Sequence, residues 1–103
     1  MRESKYETQL KKRIRALFPG CEILKNDPSR HQGILDLLIL YNDRWAMLEV
    51  KASEDAAVRP NQDYYVDRFS GMSFAAFIFP ENEEEVLNGL QQAFQPSRKT
   101  RAS

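Results

Sequence analysis

Residues 34–51 read ILDLLILYNDRWAMLEVK, two strand-like apolar runs on either side of Asn42-Asp43. Asn-Asp suits a tight turn, so Ile34 to Tyr41 and Trp45 to Lys51 are expected to pair as an antiparallel hairpin. In any even loop centred on that dipeptide, paired residues have numbers summing to 85, which sets Asp36 opposite Glu49. Directly opposed residues hold their Cβ atoms ~4.5–5.5 Å apart, where like charges destabilise a sheet. Asp36 also interrupts an otherwise apolar run, and an unpaired carboxylate in such a place is costly or becomes protonated. A bound cation removes both penalties.

Strand alternation puts Glu49 and Lys51 on one face and Leu48 and Val50 on the other. Asp36, Glu49 and Lys51 therefore converge at one end of the hairpin. Two carboxylates with nearby carbonyls and water form a hard oxygen site suited to Mg²⁺ or Mn²⁺, and the ammonium can polarise water or steady an anionic transition state. That chemistry fits phosphodiester hydrolysis. It does not fit zinc, because the chain has one His and one Cys. The ordinary alternative is a salt-bridge cluster at the hairpin end, in which the lysine neutralises one acid.

Before the hairpin, Ser4 to Leu17 has helical spacing, with Tyr6, Leu10, Ile14, Leu17 and Phe18 on one stripe, and Pro19-Gly20 ends it. Cys21 to Leu24 reads as a short strand and Lys25 to Gly33 as a polar loop. After the hairpin, Pro60 opens a second helix running to Ser70-Gly71. Phe74 to Phe79, apolar on both faces, suits a buried central strand. Asn82 and Glu85 resemble a capping box for a last helix with Val86, Leu87, Leu90, Ala93 and Phe94 on its apolar face. The order α-β-β-β-α-β-α predicts an α/β (α+β) domain, helices packed on a mixed sheet, over residues 1–96. Residues 97–103 are expected to form a frayed basic tail.

The chain has 103 residues, 42% of them hydrophobic and 29% charged, a length suited to one domain. Cys21 is the single cysteine, so no internal disulfide is available and a reducing, cytoplasmic setting is expected. No apolar run approaches the ~20 residues of a membrane span, and Met1 to Lys5 lacks the apolar region of a signal peptide. Fifteen basic and fifteen acidic residues cancel, but unevenly. Residues 1–51 carry ten Lys/Arg against seven Asp/Glu, and residues 52–96 carry two against eight. A basic front permits a nucleic-acid partner without requiring one.

Gly33-Ile34-Leu35-Asp36, followed about a dozen residues later by Leu48-Glu49-Val50-Lys51, resembles the PD-(D/E)XK nuclease signature. The order of elements over residues 4–94 is similar to that of small VRR-NUC-type and Holliday-junction-resolvase-like members. Leu35 departs from the signature, standing where its nominal proline would be. The resemblance implies a restriction-endonuclease-like core and metal-dependent cleavage of DNA, with branched or junction-containing DNA as the expected substrate and a homodimer as the expected assembly. It implies metal ligation by Asp36, Glu49 and the Val50 carbonyl, with Lys51 positioning water. Glu7 becomes a candidate metal ligand on the first helix, although Ser4-x-x-Glu7 is also a capping box. Gln62, at the start of the second helix, is a candidate to orient water or meet the scissile phosphate, or else an exposed first-turn residue.

Lys11, Lys12, Arg13 and Arg15 cover much of the first helix's polar surface, and Arg30 and Arg59 lie in loops bordering the presumed site. All are candidates for phosphate contacts, which position a duplex without reading its bases. His31 reads as a loop residue rather than a ligand, and Tyr65 as packing with Phe69. Trp45 is left between packing on a helix and contact with a second subunit. Two other functions stay open: a non-catalytic nucleic-acid-binding module, and a small protein–protein interaction protein using the acidic segment Glu81 to Glu85.

Overall fold

A computed structural model describes residues 1–96, and the basic tail at 97–103 lies outside the described residues. The elements are α1 (Glu3–Leu17), β1 (Glu22–Lys25), β2 (Leu37–Tyr41), β3 (Arg44–Val50), α2 (Gln62–Ser70), β4 (Phe74–Ile78) and α3 (Glu83–Ala93), with a single 3-10 turn at Pro80–Asn82. Their order is the expected α-β-β-β-α-β-α, and the protein is α+β with an open, mixed four-stranded sheet. The strands lie side by side in chain order, β1–β2 and β2–β3 antiparallel and β3–β4 parallel across the α2 crossover.

The hairpin has the register its turn dictates, Leu37 opposite Leu48 through Tyr41 opposite Arg44. Asn42 takes a positive φ of 55°, which asparagine tolerates better than most residues. Leu37, Ile39, Ala46, Leu48 and Val50 point to one face, where Tyr6, Leu10 and Ile14 of α1 and Val86, Leu87 and Leu90 of α3 close the core. Phe18 stands edge-on to both Tyr41 and Phe94, with ring centroids 5.3 and 5.1 Å apart, and closes the end nearest the turn. On the other face, α2 covers β3 and β4, with the Phe69 ring edge-on to Trp45 at 6.2 Å. Trp45 therefore packs on a helix of its own chain. No helix among the described residues is long and apolar enough to cross a membrane.

Three sequence expectations give way. β4 is an edge strand rather than a central one, and only Ile78 in it is fully buried. Its apolar composition reflects contact with α2 on one face and α3 on the other, not strands on both sides. Ser4 and Glu7 form no capping box, because α1 starts at Glu3 without a side-chain cap and Glu7 is drawn to lysines instead. Asn82 does not cap α3: its Oδ1 accepts the Phe79 N–H at 2.9 Å and its Nδ2 donates to the Phe77 carbonyl, closing the turn after β4. Element ends also shift by one to three residues. β2 begins at Leu37 rather than Ile34, since the Leu35 carbonyl accepts the Asn26 side-chain amide instead of a strand bond, and α2 begins at Gln62, two residues after Pro60.

Candidate active site

Beyond the last ladder pair, the hairpin register carries on through side chains. The Asp36 N–H donates to Glu49 Oε1 at 3.0 Å, and the Val50 N–H donates to Asp36 Oδ2 at 3.0 Å. Each carboxylate is thus fixed by a backbone amide at or beside the other. On the opposite side of Asp36, Asn26 donates its N–H to the Asp36 carbonyl at 2.8 Å and its side-chain amide to the Leu35 carbonyl at 2.8 Å. Those bonds extend the β1–β2 pairing past Lys25 and hold Asp36 at the strand end.

Glu49 is 3% exposed and Lys51 5% exposed, unusual for charged residues. Gln62 makes this tolerable. Its Nε2 donates to Glu49 Oε2 at 2.7 Å, while its Oε1 accepts from Lys51 Nζ at 2.9 Å and from the Arg59 N–H at 2.9 Å. Lys51 Nζ also donates to the Ala57 carbonyl at 3.0 Å and lies 3.5 Å from Glu49 Oε2. Among the described residues, no buried side-chain nitrogen or oxygen lacks a partner. Gln62 is therefore the buried link between lysine and carboxylate, not the exposed first-turn residue of the alternative reading.

Burial, and after it the negative charge of Asp36, push the Glu49 carboxyl up to about 7, against the opposing pull of Lys51. Glu7 reaches this end of the sheet through Lys25, whose Nζ lies 2.6 Å from Glu7 Oε1 and 3.5 Å from Asp36 Oδ1. Lys11 Nζ takes the other Glu7 oxygen at 3.1 Å. Burial alone would raise the Glu7 carboxyl, but the hydrogen bonds from Lys25 and Lys11 outweigh it and hold it below its ordinary value.

Asp36 and Gln62 line a pocket of about 230 Å³ with Pro28, Gln32, Gly33, Ile34, Arg59 and Pro60. Its wall depends on Gly33, which has a φ of +88°, and a Cβ there would come within 2.5 Å of the Asn61 Cβ. A wider groove of about 770 Å³ between β4 and α3 has Glu85 as its one titratable lining residue.

The fold thus brings together Asp36, Glu49, Lys51 and Gln62, with Val50 contributing its N–H and Glu7 held one lysine away. Arg59 lines the pocket, whereas Arg30 is almost wholly exposed and reaches only Asp27, at 3.9 Å. Of the basic helix residues, Lys12 and Arg15 are exposed, Lys11 pairs with Glu7, and Arg13 is taken by Glu83 and Glu84 of α3. His31 bonds Tyr65 Oη through Nε2 at 2.7 Å, and Tyr65 stacks on Phe69. Two residues read only as loop, Lys25 and Asn26, prove to touch Asp36. The available signal was register: with Glu22 opposite Leu40, Asn26 falls opposite Asp36.

Among the described residues, no group of three or more His, Cys, Asp or Glu side chains is close enough to hold a metal ion by itself. Asp36 and Glu49 nevertheless fit a hard divalent cation as its two-carboxylate nucleus, with carbonyl and water oxygens completing the shell. They are all-oxygen donors, held adjacent by backbone amides. Comparison of the chain with protein-family models, curated proteins and solved structures finds no match.

Proposed function

We propose that this protein is a divalent-metal-dependent endonuclease that hydrolyses phosphodiester bonds in DNA. The observation that carries the reading is the mutual fixing of Asp36, which lines a pocket beside Gln62, and the buried Glu49, with the buried Lys51 bonded to Gln62. A purely structural ion pair would need only Glu49 and Lys51, whereas here a second acid, Asp36, stands against the buried one and adds to burial in raising the Glu49 carboxyl.

Asp36 and Glu49, with the Val50 carbonyl, would hold Mg²⁺ or Mn²⁺, and Glu7 is the next acid within reach. When bound, such an ion supplies Lewis-acid polarisation of a phosphoryl oxygen and lowers the pKa of water. Lys51, pinned by Gln62, Glu49 and the Ala57 carbonyl, presents an ammonium whose position is fixed before substrate arrives, so stabilising developing negative charge needs little reorganisation. Gln62 sets the direction of that ammonium and faces the pocket in which a water or scissile phosphate would sit. Arg59 at the rim, with Lys12 and Arg15 on α1, would meet flanking phosphates.

Selectivity would come from DNA shape, branched or junction-containing duplexes, because the described residues include no separate base-reading element. A homodimer would set two such sites on paired strands. The lone free cysteine suits a reducing intracellular compartment.

The test is cleavage of a panel of linear duplex, nicked plasmid, flap and four-way junction with Mg²⁺ or Mn²⁺, with and without chelator. Metal-dependent cutting that Asp36→Asn abolishes supports the reading. Binding of DNA without turnover under every metal condition replaces it with a non-catalytic binding module. Neither binding nor cutting leaves a protein-interaction role.

A further inference from the structure

Lys25 stands where a shared cation would stand between two acids from different elements. Its Nζ is 2.6 Å from Glu7 Oε1 on α1 and 3.5 Å from Asp36 Oδ1 at the head of β2. Three acids (Glu7, Asp36, Glu49) are matched by three lysines (Lys11, Lys25, Lys51), so a dication entering beside Asp36 would repel an ammonium already there. Which lysine yields follows from its attachments. Lys51 is buried and bonded to Gln62 and the Ala57 carbonyl, and Lys11 pairs with Glu7 alone. Lys25 has a side chain 49% exposed, touches Asp36 only at 3.5 Å, and swings on a four-carbon stem beside solvent.

We propose that Lys25 is a tethered competitor for the metal. Its ammonium bridges Glu7 and Asp36 in the metal-free protein, keeps Glu7 one lysine away from Asp36, and is expelled when a divalent cation binds at Asp36 and Glu49. The metal affinity of the site is thereby set by a residue that is not a ligand. This inference rests on the metal-centre reading given under Proposed function. It makes Lys25 a positioning residue for the acids, and its removal has a sign opposite to that of any supporting residue: metal binding strengthens.

The experiment is titration of the 103-residue chain with Mn²⁺ alone, followed by the electron paramagnetic resonance signal of free Mn²⁺ and by calorimetry, for wild type, Lys25→Met, Lys25→Gln, Lys25→Arg and Asp36→Asn. Circular dichroism checks that each is folded, and the glutamine variant, polar at a half-exposed position, serves if the methionine variant is not. Lys25→Met and Lys25→Gln are expected to bind Mn²⁺ roughly tenfold more tightly than wild type, Lys25→Arg to stay near wild type, and Asp36→Asn to lose binding. Mn²⁺ should also raise the melting temperature of Lys25→Met more than that of wild type. Wild-type binding that Asp36→Asn abolishes but the neutral Lys25 variants leave equal or weaker overturns the role of Lys25 while keeping the metal centre. No binding in wild type and in the neutral variants alike, or binding indifferent to Asp36→Asn, overturns the metal centre and this inference with it.

Discussion

Asp36 gives its backbone N–H to the Glu49 carboxylate and takes, through its own carboxylate, the N–H of Val50, the residue that follows Glu49. Two acids are therefore locked to each other through backbone amides, while the lysines beside them, Lys25 and Lys51, stand at the longer distance of 3.5 Å.

Removing one charge while keeping its acceptor should relax the pair. Asp36→Asn retains an oxygen for the Val50 N–H and gives up only a long, half-exposed contact with Lys25, of the kind worth ~0–1 kcal/mol. The expected outcome is a melting temperature raised by a few degrees in chelator at pH 8, together with a Glu49 carboxyl that falls below about 7 but stays above ordinary glutamate values, because its burial remains. Carboxyl-carbon NMR titration and thermal melts check both. A lower melting temperature in this variant would mark Asp36 as a structural anchor instead.

The same shift fixes a pH dependence. Glu49 has its folded value raised, so its contribution to stability is fully present below pH ~4.5, where the group is protonated folded and unfolded alike. It is lost as pH rises from there through about 7, because the unfolded chain ionises first. In chelator, wild type should therefore lose more stability between pH 5 and pH 8 than Glu49→Gln does. Urea denaturation of both proteins across that range measures the difference, and equal losses would contradict it.

Lys51→Ala should cost both turnover and stability. It strips a buried carboxylate of its cation and leaves Gln62 Oε1 and the Ala57 carbonyl short of a donor, a loss on the order of 3 kcal/mol by analogy with other broken buried pairs. Because Glu49 can protonate, the loss should be smaller at pH 5 than at pH 8. Glu49→Gln, in contrast, should stay folded while cleavage drops by about a hundredfold or more. Nicking assays and denaturation curves on the same preparations separate the two effects.

Gly33→Ala combines a left-handed backbone with a 2.5 Å approach to the Asn61 Cβ. The conformational penalty alone is about 1–2 kcal/mol, and the clash pushes the 26–36 loop off the start of α2. A melting temperature lower by roughly 5–15 °C is expected for a domain of this size. Gly20→Ala serves as the control, since it has the same φ with open space around it.

For DNA contacts, Arg59→Ala should weaken binding and reduce the slope of log affinity against log salt by about 1, while Arg30→Ala and Arg13→Ala should change it less. Arg13 already pairs with Glu83 and Glu84, and Arg30 stands apart from the pocket. Fluorescence anisotropy at four salt concentrations is sufficient.

The hairpin register and the order of elements were legible because a two-residue turn and strand alternation leave almost no freedom: once Asn42-Asp43 turns, Asp36 must meet Glu49. Features that depend on long-range contact were not. The two capping boxes matched their residue types, but Glu7 finds stronger partners in Lys25 and Lys11, and Asn82 is drawn to the end of β4. The apolar run at β4 reads the same whether its neighbours are strands or helices, so its edge position was hidden. Lys25 and Asn26 were lost in a stretch read for its polarity, when pairing with β2 decides their place.

The turn at Asn42-Asp43 closes the hairpin at the end away from Asp36, about six residues or roughly 20 Å along the strands. An inserted peptide or a fluorophore carried there would ride at the far pole of the molecule, making that exposed corner a suitable attachment point for following encounters with DNA without touching the acids that would cut it.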